Sequence, residues 1–351
     1  MTDSFWKGRK VLITGHTGFK GSWLALILIE LGAEVTGLSL KPQGKNNLYK
    51  ELFLKNKIKS VYGDINNIKT VKKTLTRCDP EIIFHMAAQP LVRESYIDPI
   101  YTLNTNIIGT ANIMNIAKDL SSLKAFINIT SDKCYQNNED KHAFVENDPM
   151  GGKDPYSASK GCAELVASSY YHSFFKPHNI PLASVRAGNV IGGGDWSNDR
   201  LVPDLLFSIN NKSDLIIRNP NAIRPWQHVI EPLSGYIQLA EKLVAEGHKW
   251  SGGWNFGPED NDAKEVSWIV NSFQKYSKQT IKVIYEEAPD MPESSYLRLN
   301  IDKSKTVLGW YPKWNIEETI KLIVDWNYCF NKGLSAEEIC LKQINMYYNN
   351  L

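Results

Sequence analysis

The chain has 351 residues, 40 Lys plus Arg against 38 Asp plus Glu, a formal charge of +2, and 42% hydrophobic and 11% aromatic residues. That composition excludes a disordered or fibrous protein, and at about 150 residues per domain the length suits roughly two domains. The near-neutral balance argues against a protein built to neutralise nucleic-acid phosphates.

Met1 to Lys10 carry Asp3, Lys7, Arg9 and Lys10 and no apolar stretch, so no secretory signal is expected. The longest apolar run, Trp23 to Ile29, falls far short of the ~20 residues a membrane helix needs, and no membrane partner is expected. Cys78, Cys134, Cys162, Cys329 and Cys340 are odd in number and scattered, without metal-ligand spacing to one another or to His. Reduced thiols in a cytoplasmic enzyme, and no metal, are the expectation.

The chain then alternates short apolar runs with amphipathic stretches. Lys10 to Thr14, Glu34 to Leu40, Ile58 to Tyr62, Glu81 to Met86, Lys124 to Thr130 and Pro181 to Ala187 predict strands. Gly21 to Leu31, Ile65 to Arg77, Tyr101 to Lys118 and Tyr156 to Phe175 predict helices between them. Parallel neighbours need crossover connections, so the alternation implies an α/β fold: a Rossmann-type doubly wound parallel sheet. From Gly188 the regularity breaks at Gly192-Gly193-Gly194-Asp195-Trp196. Beyond it, short strands (Leu215 to Arg218, Ile281 to Tyr285) mix with helices (Glu231 to Glu246, Ala263 to Tyr276, Ile316 to Asn331, Ala336 to Tyr348). The expected division is a dinucleotide-binding domain over 1–187, completed by a segment near 223–257, and a smaller C-terminal α/β lobe over 188–351.

After the first strand comes Gly15-His16-Thr17-Gly18-Phe19-Lys20-Gly21, glycines three residues apart with a helix opening at the last. The first allows a tight turn, the second lets backbone N–H groups reach a pyrophosphate, and the third lets the helix pack on the strand. The second strand ends Ser39-Leu40-Lys41, without the acid that ordinarily binds the ribose hydroxyls. Lys20 and Lys41 therefore leave NADP open on charge alone. Asp64 and Ile65 follow the third strand, Asp64 either near the adenine or as a helix N-cap.

Tyr156 and Lys160 lie four apart on one helical face, and Thr130-Ser131-Asp132-Lys133 leaves the fifth strand at its carboxyl end, where open α/β sheets bind ligands. A phenol with a pKa of about 10 becomes a useful base when a cation stabilises its phenolate.

In order along the chain, TGHTGFKG, HMAAQP, NIIGT, TSDK, YSASK and RAGNVIGGGDW resemble the extended short-chain dehydrogenase/reductase family, and within it the nucleotide-sugar 4,6-dehydratases. HTGFKGSWL, TSDKCY, GGGDW and RPWQHVIEPL resemble the branch acting on a CDP-sugar. The resemblance implies NAD as cofactor and an internal redox reaction that removes water from the hexose. Tyr156, its pKa lowered by Lys160, would take the O4 proton; Ser131 would align O4; Asp132 would protonate the departing C6 hydroxyl. Relatives acting on dTDP-glucose carry glutamate where this chain has Lys133. Lys133 would therefore be either a neutral base toward C5 or an electrostatic stabiliser of the enolate.

The resemblance further implies that Ala87, Ala88 and Gln89 lie at the nicotinamide ribose, with Thr130 beside them, and that Asn106 holds the site's geometry. Arg218, Arg224 and Asn189 would reach the substrate diphosphate, Leu201 and Val202 the base, and Arg93 the hexose. His228 is a substrate contact or a packing histidine. A homodimer through the Tyr156 helix, and a place in deoxysugar synthesis for surface polysaccharide such as the lipopolysaccharide O-antigen, also follow from the resemblance. A nucleotide-sugar epimerase would share the cofactor site but need no acid for C6, so Asp132 beside Lys133 favours the dehydratase. A silent dinucleotide-binding regulator would need no Ser131, Tyr156 and Lys160.

Overall fold

The computed structural model describes residues 3–138, 141–286 and 296–349. Its centre is a seven-stranded parallel sheet. Lys10–Thr14 (β1), Glu34–Ser39 (β2), Lys59–Tyr62 (β3), Ile82–His85 (β4), Ala125–Ile129 (β5) and Leu182–Arg186 (β6) match the six predicted strands. The chain returns at Gly252–Asn255 to pair with β6, Trp254 opposite Val185. The order is Gly252–Asn255, β6, β5, β4, β1, β2, β3. Crossovers reverse between β1 and β4, so a crevice opens at the carboxyl ends Thr14 and His85.

Alternation across the pleat divides the core. Val11, Ile13, Ala125 and Ile127 face one buried cluster, and Leu12 and Phe126 face the other. Both faces are covered, which explains why these strands read as continuous apolar runs. A third cluster, including Ile191, Leu205, Trp226, Phe273 and Ile320, centres the second region. The division in sequence is interleaved in space: the helices Ile230–Glu246 and Ala336–Asn349 join the core cluster on one face of the main sheet through Leu233, Ile237, Ile339 and Tyr347.

The helices depart from expectation at identifiable points. The first begins at Phe19, and that predicted at Ile65 begins at Ile68, because the Asn67 side chain accepts from Lys69 N and Thr70 N. Asn67 is thus the N-cap, in place of Asp64. Tyr101 to Lys118 is interrupted by a π-helical turn at Asn104–Ile108, and Tyr156 to Phe175 ends in another at Tyr171–Phe175. Leu201–Asn211, not assigned from sequence, is a helix, and Ala263–Glu265 is a strand antiparallel to Ile223–Pro225.

The triple glycine is a packed seam. Methyl groups there would press on Val229 and Phe19 at Gly192, overlap the Trp326 ring at Gly193, and meet Leu48 at Gly194, which also has φ +81°. Trp23 Nε1 donates to the Gly193 carbonyl at 3.1 Å, tying the first helix to this loop.

Candidate active site

The glycine loop has the geometry of a phosphate cradle. Gly15 has φ +78°, and a Cβ there would lie 2.9 Å from Ala87 N; one at Gly21 would collide with the Gly15 carbonyl. Gly18 caps the Phe19–Glu30 helix without a side-chain bond, so the helix N–H groups remain for an anion. His16 turns away from that anion position. Its buried ring covers Gly37 of β2 where a side chain would clash, and burial pulls the imidazole down to about 4. Thr17 Oγ1 lies 2.8 Å from Ser39 Oγ and donates to the Leu40 carbonyl, so hydroxyls occupy the end of β2 where an acid would stand. Asp64 accepts from Asn66 N at 2.8 Å, Ile65 packs under Gly109, and the buried Oδ1 atoms of Asn47 and Asn66 have no hydrogen-bond partner. Unpartnered acceptors around a glycine cradle fit a dinucleotide carrying hydroxyl donors.

One polar lattice connects this half to the reactive helix. Asn106, in the π-helical turn, accepts from Gln89 N and donates to the Gln89 carbonyl and to Ser159 Oγ. Ser159 Oγ in turn donates to the Tyr156 carbonyl at 2.6 Å. Ala87 is held by its N–H to Thr14 Oγ1, and Ala88 follows it half-buried. Two expected cofactor contacts are already engaged through their side chains: Gln89 bonds Thr102 and Leu91, and Thr130 donates to Glu164.

Asp154 caps the Pro155–Tyr170 helix, setting Tyr156 and Lys160 on its first turns. Ser131 opens a 3₁₀ turn, accepting from Lys133 N and donating to Asp132 Oδ1 at 3.0 Å. Asp132 Oδ2 is buried without a hydrogen-bond partner. Burial raises the Asp132 carboxyl, against the pull of Lys133, the Ser131 hydroxyl and Arg224. Burial thus favours the protonated form that a general acid needs.

The expectation that Lys160 depresses Tyr156 is corrected. Burial pushes the phenol up to about 12, while the Ser131 hydroxyl and the Arg200 charge favour the phenolate. Burial also pulls Lys160 down to about 8, against the charge of Glu164.

Lys20 joins this group from the phosphate loop, donating to Tyr236 OH at 3.2 Å. Burial, then Lys160 and Arg200, pull its ammonium down to about 7, with Asp132 opposing. A bound diphosphate restores the charge, so binding takes up a proton between about pH 7 and 10.5. Calorimetry with NAD, whose diphosphate has no proton to lose in this range, in two buffers of different ionisation enthalpy should show uptake near pH 8.5, about none near pH 6, and a smaller uptake in Lys20→Met.

The second region supplies the arginines. Arg224 is buried beside Asp132, its Nη1 donating to the Ile223 carbonyl. Arg93 and Arg218 meet at Asp199, with N–O distances of 2.8 and 3.7 Å. Asn189, just ahead of the glycine loop, takes a left-handed turn at φ 41°. Leu201 is half-buried, whereas Val202 turns into the third core. His228 is fully buried between Trp23 and Trp314, and burial pulls it down to about 3, so it is the packing histidine. Sequence reasoning missed Arg200, whose charge reaches both Tyr156 and Lys20. Its position directly before Leu201-Val202 was the available signal. Among the described residues no group of three or more His, Cys, Asp or Glu could hold a metal, and no helix is long and apolar enough to cross a membrane.

Residues 12–323 match the family model for GDP-mannose 4,6 dehydratase. The chain is 50% identical over 335 residues, 94% of its length and 93% of the relative's, to a CDP-glucose 4,6-dehydratase of Salmonella typhimurium. It resembles the structures of UDP-glucuronic acid 4-epimerase from Bacillus cereus in complex with UDP-glucuronic acid and NAD (TM-score 0.78, 21% identity, covering 91% of this chain and 99% of that one) and of dTDP-glucose 4,6-dehydratase from Bacillus anthracis in complex with NAD (TM-score 0.77, 20% identity, 94% and 100%). At those identities the likeness speaks for the fold, which epimerase and dehydratase share.

Proposed function

Because the chain belongs to the GDP-mannose 4,6-dehydratase family, we propose that it is a CDP-glucose 4,6-dehydratase, an NAD-dependent hydro-lyase making CDP-4-dehydro-6-deoxy-D-glucose and water from CDP-D-glucose. The observation carrying this reading is the 50% identity across 94% of the chain. Gly15, Gly18 and Gly21, the helix N–H groups after them and the Asn106 lattice would hold NAD. Bound there, NAD would supply the reversible hydride chemistry that an internal redox reaction of the hexose requires.

Tyr156 takes the O4 proton while Ser131 orients that oxygen. The 4-ketone acidifies C5–H, and Asp132 gives its proton to the C6 hydroxyl as it departs. Lys20, Arg200 and Arg224 counter the diphosphate charge, and Arg93 and Arg218 exchange Asp199 for substrate. Lys133 acts as the base toward C5. In Lys133→Met, exchange of the C5 proton with deuterated solvent should fall by about 10²-fold or more; undiminished exchange would rule out the base role.

Exposed Ile97, Ile100, Ile108, Leu165 and Phe174, on helices that pack together, support a homodimer. The reduced thiols suit the cytoplasm, and a 4-keto-6-deoxy sugar nucleotide suits deoxysugar synthesis for O-antigen. The function is tested by incubating the protein with CDP-, dTDP-, UDP- and GDP-hexoses, with and without NAD, and weighing the products. CDP-glucose should lose one water; unchanged mass with inverted stereochemistry would assign an epimerase instead.

A further inference from the structure

The residue following β6 and Ala187 is Gly188, and its φ is not positive, so its backbone does not call for glycine. What does is a neighbour: a Cβ built on Gly188 would overlap Oδ2 of Asp132, and Cγ behind it. The carboxyl has little room to retreat, because Ser131 Oγ holds its Oδ1 at 3.0 Å and the side chain is only 3% exposed. The glycine is also held in place, since Gln227 Nε2 donates to its carbonyl at 3.2 Å and to that of Phe256 at 2.9 Å. Gln227 is itself buried at the end of a strand pair with Val190–Ile191.

We infer that Gly188 is a positioning residue for the loss of water: its missing side chain is the space in which the Asp132 carboxyl lies, with Gln227 fixing the floor. The inference rests on the 4,6-dehydratase reading. In the step concerned, the C5 proton leaves, its electron pair forms the C5–C6 double bond, the C6–O bond breaks, and the Asp132 proton goes to that oxygen to give water. The resulting enone is then reduced at C6 and reprotonated at C5. A methyl at Gly188 displaces the acid from C6 without touching the removal of hydrogen from C4. A displacement of about 1 Å is enough to cost a step on the order of 10²-fold.

Two measurements on the full-length protein test this. In single turnover with CDP-glucose and NAD, Gly188→Ala and Asp132→Asn should both accumulate reduced nicotinamide, read by its near-ultraviolet absorbance, and clear it about 100-fold more slowly than the unsubstituted protein. A Gly188→Ala protein that slows without accumulating it overturns the inference. Separately, the melting temperature is measured for Gly188→Ala alone and in an Asp132→Ala background, a cycle that isolates the contact and needs no substrate. The loss caused by Gly188→Ala should largely vanish when the carboxyl is gone; an equal loss in both backgrounds, including failure of both to fold, overturns it. If the unsubstituted protein does not dehydrate CDP-glucose, the functional reading fails while the thermal cycle still decides the Gly188–Asp132 contact.

Discussion

Tyr156→Phe should lower kcat by about 10²–10⁴-fold, the usual contribution of a positioned general base, while KM for the sugar nucleotide stays within a few-fold. The phenylalanine keeps the ring that fills the start of the Pro155–Tyr170 helix, so the change removes one oxygen and little packing. The phenol lies up at about 12 before ligands bind, so the active protonation state becomes more populated as pH rises. The unsubstituted protein should therefore show kcat/KM rising with pH on its acid side, and that rise should disappear in Tyr156→Phe. Reduced nicotinamide should not accumulate in single turnover, because removal of hydrogen from C4 is then the slow step. That separates this variant from Asp132→Asn, in which it should accumulate.

Glu164→Ala should destabilise the fold by about 3–5 kcal/mol, the range for stripping one partner from a buried ion pair. Glu164 is one turn beyond Lys160 and accepts from Arg186 through Nε at 2.8 Å and Nη2 at 2.9 Å, and from Thr130 Oγ1 at 2.5 Å. Arg186 also donates to Tyr135 OH and to the Glu146 carbonyl, and its side chain is only 5% exposed. Removing Glu164 leaves a guanidinium under the active site with its main counter-charge gone. Denaturant unfolding measures the loss, and the paired change Glu164→Leu with Arg186→Met should be markedly milder, since neither charge then stays buried alone. The single variant should also draw Lys160 further down, because the Glu164 charge is one of the influences holding it up.

The sheet was legible because its code is local. Strands buried on both faces read as apolar runs, and the glycine triplet can be recognised where β1 meets a helix. The positions of Ser131, Asp132, Tyr156 and Lys160 followed from the same logic, as carboxyl ends of strands and one face of a helix. Side-chain orientation beyond those ends did not follow. Gln89 and Thr130 stand beside the cradle but bond inward, because Thr102 and Glu164 come from distant segments. His228 lies four residues from Arg224 in sequence yet falls between two tryptophans, since the two belong to different short strands, Ile223–Pro225 and Gln227–His228. The π-helical turn at Asn106 has no local signature; its bonds to Gln89 and Ser159 are tertiary. Burial, which outweighs the Ser131 hydroxyl and the Arg200 charge at Tyr156, is likewise a property of the assembled molecule.

A run of three glycines invites the picture of a swivel between two bodies. Here each stands where a neighbour's side chain leaves no room for its own, and the Trp23 indole is fastened across the middle one. Mechanically the seam is a rivet: it joins the helix that cradles phosphate to the region that supplies the arginines. Enlarging any of the three would pry those two parts apart, so at this seam small size, and not pliability, is what the chain requires.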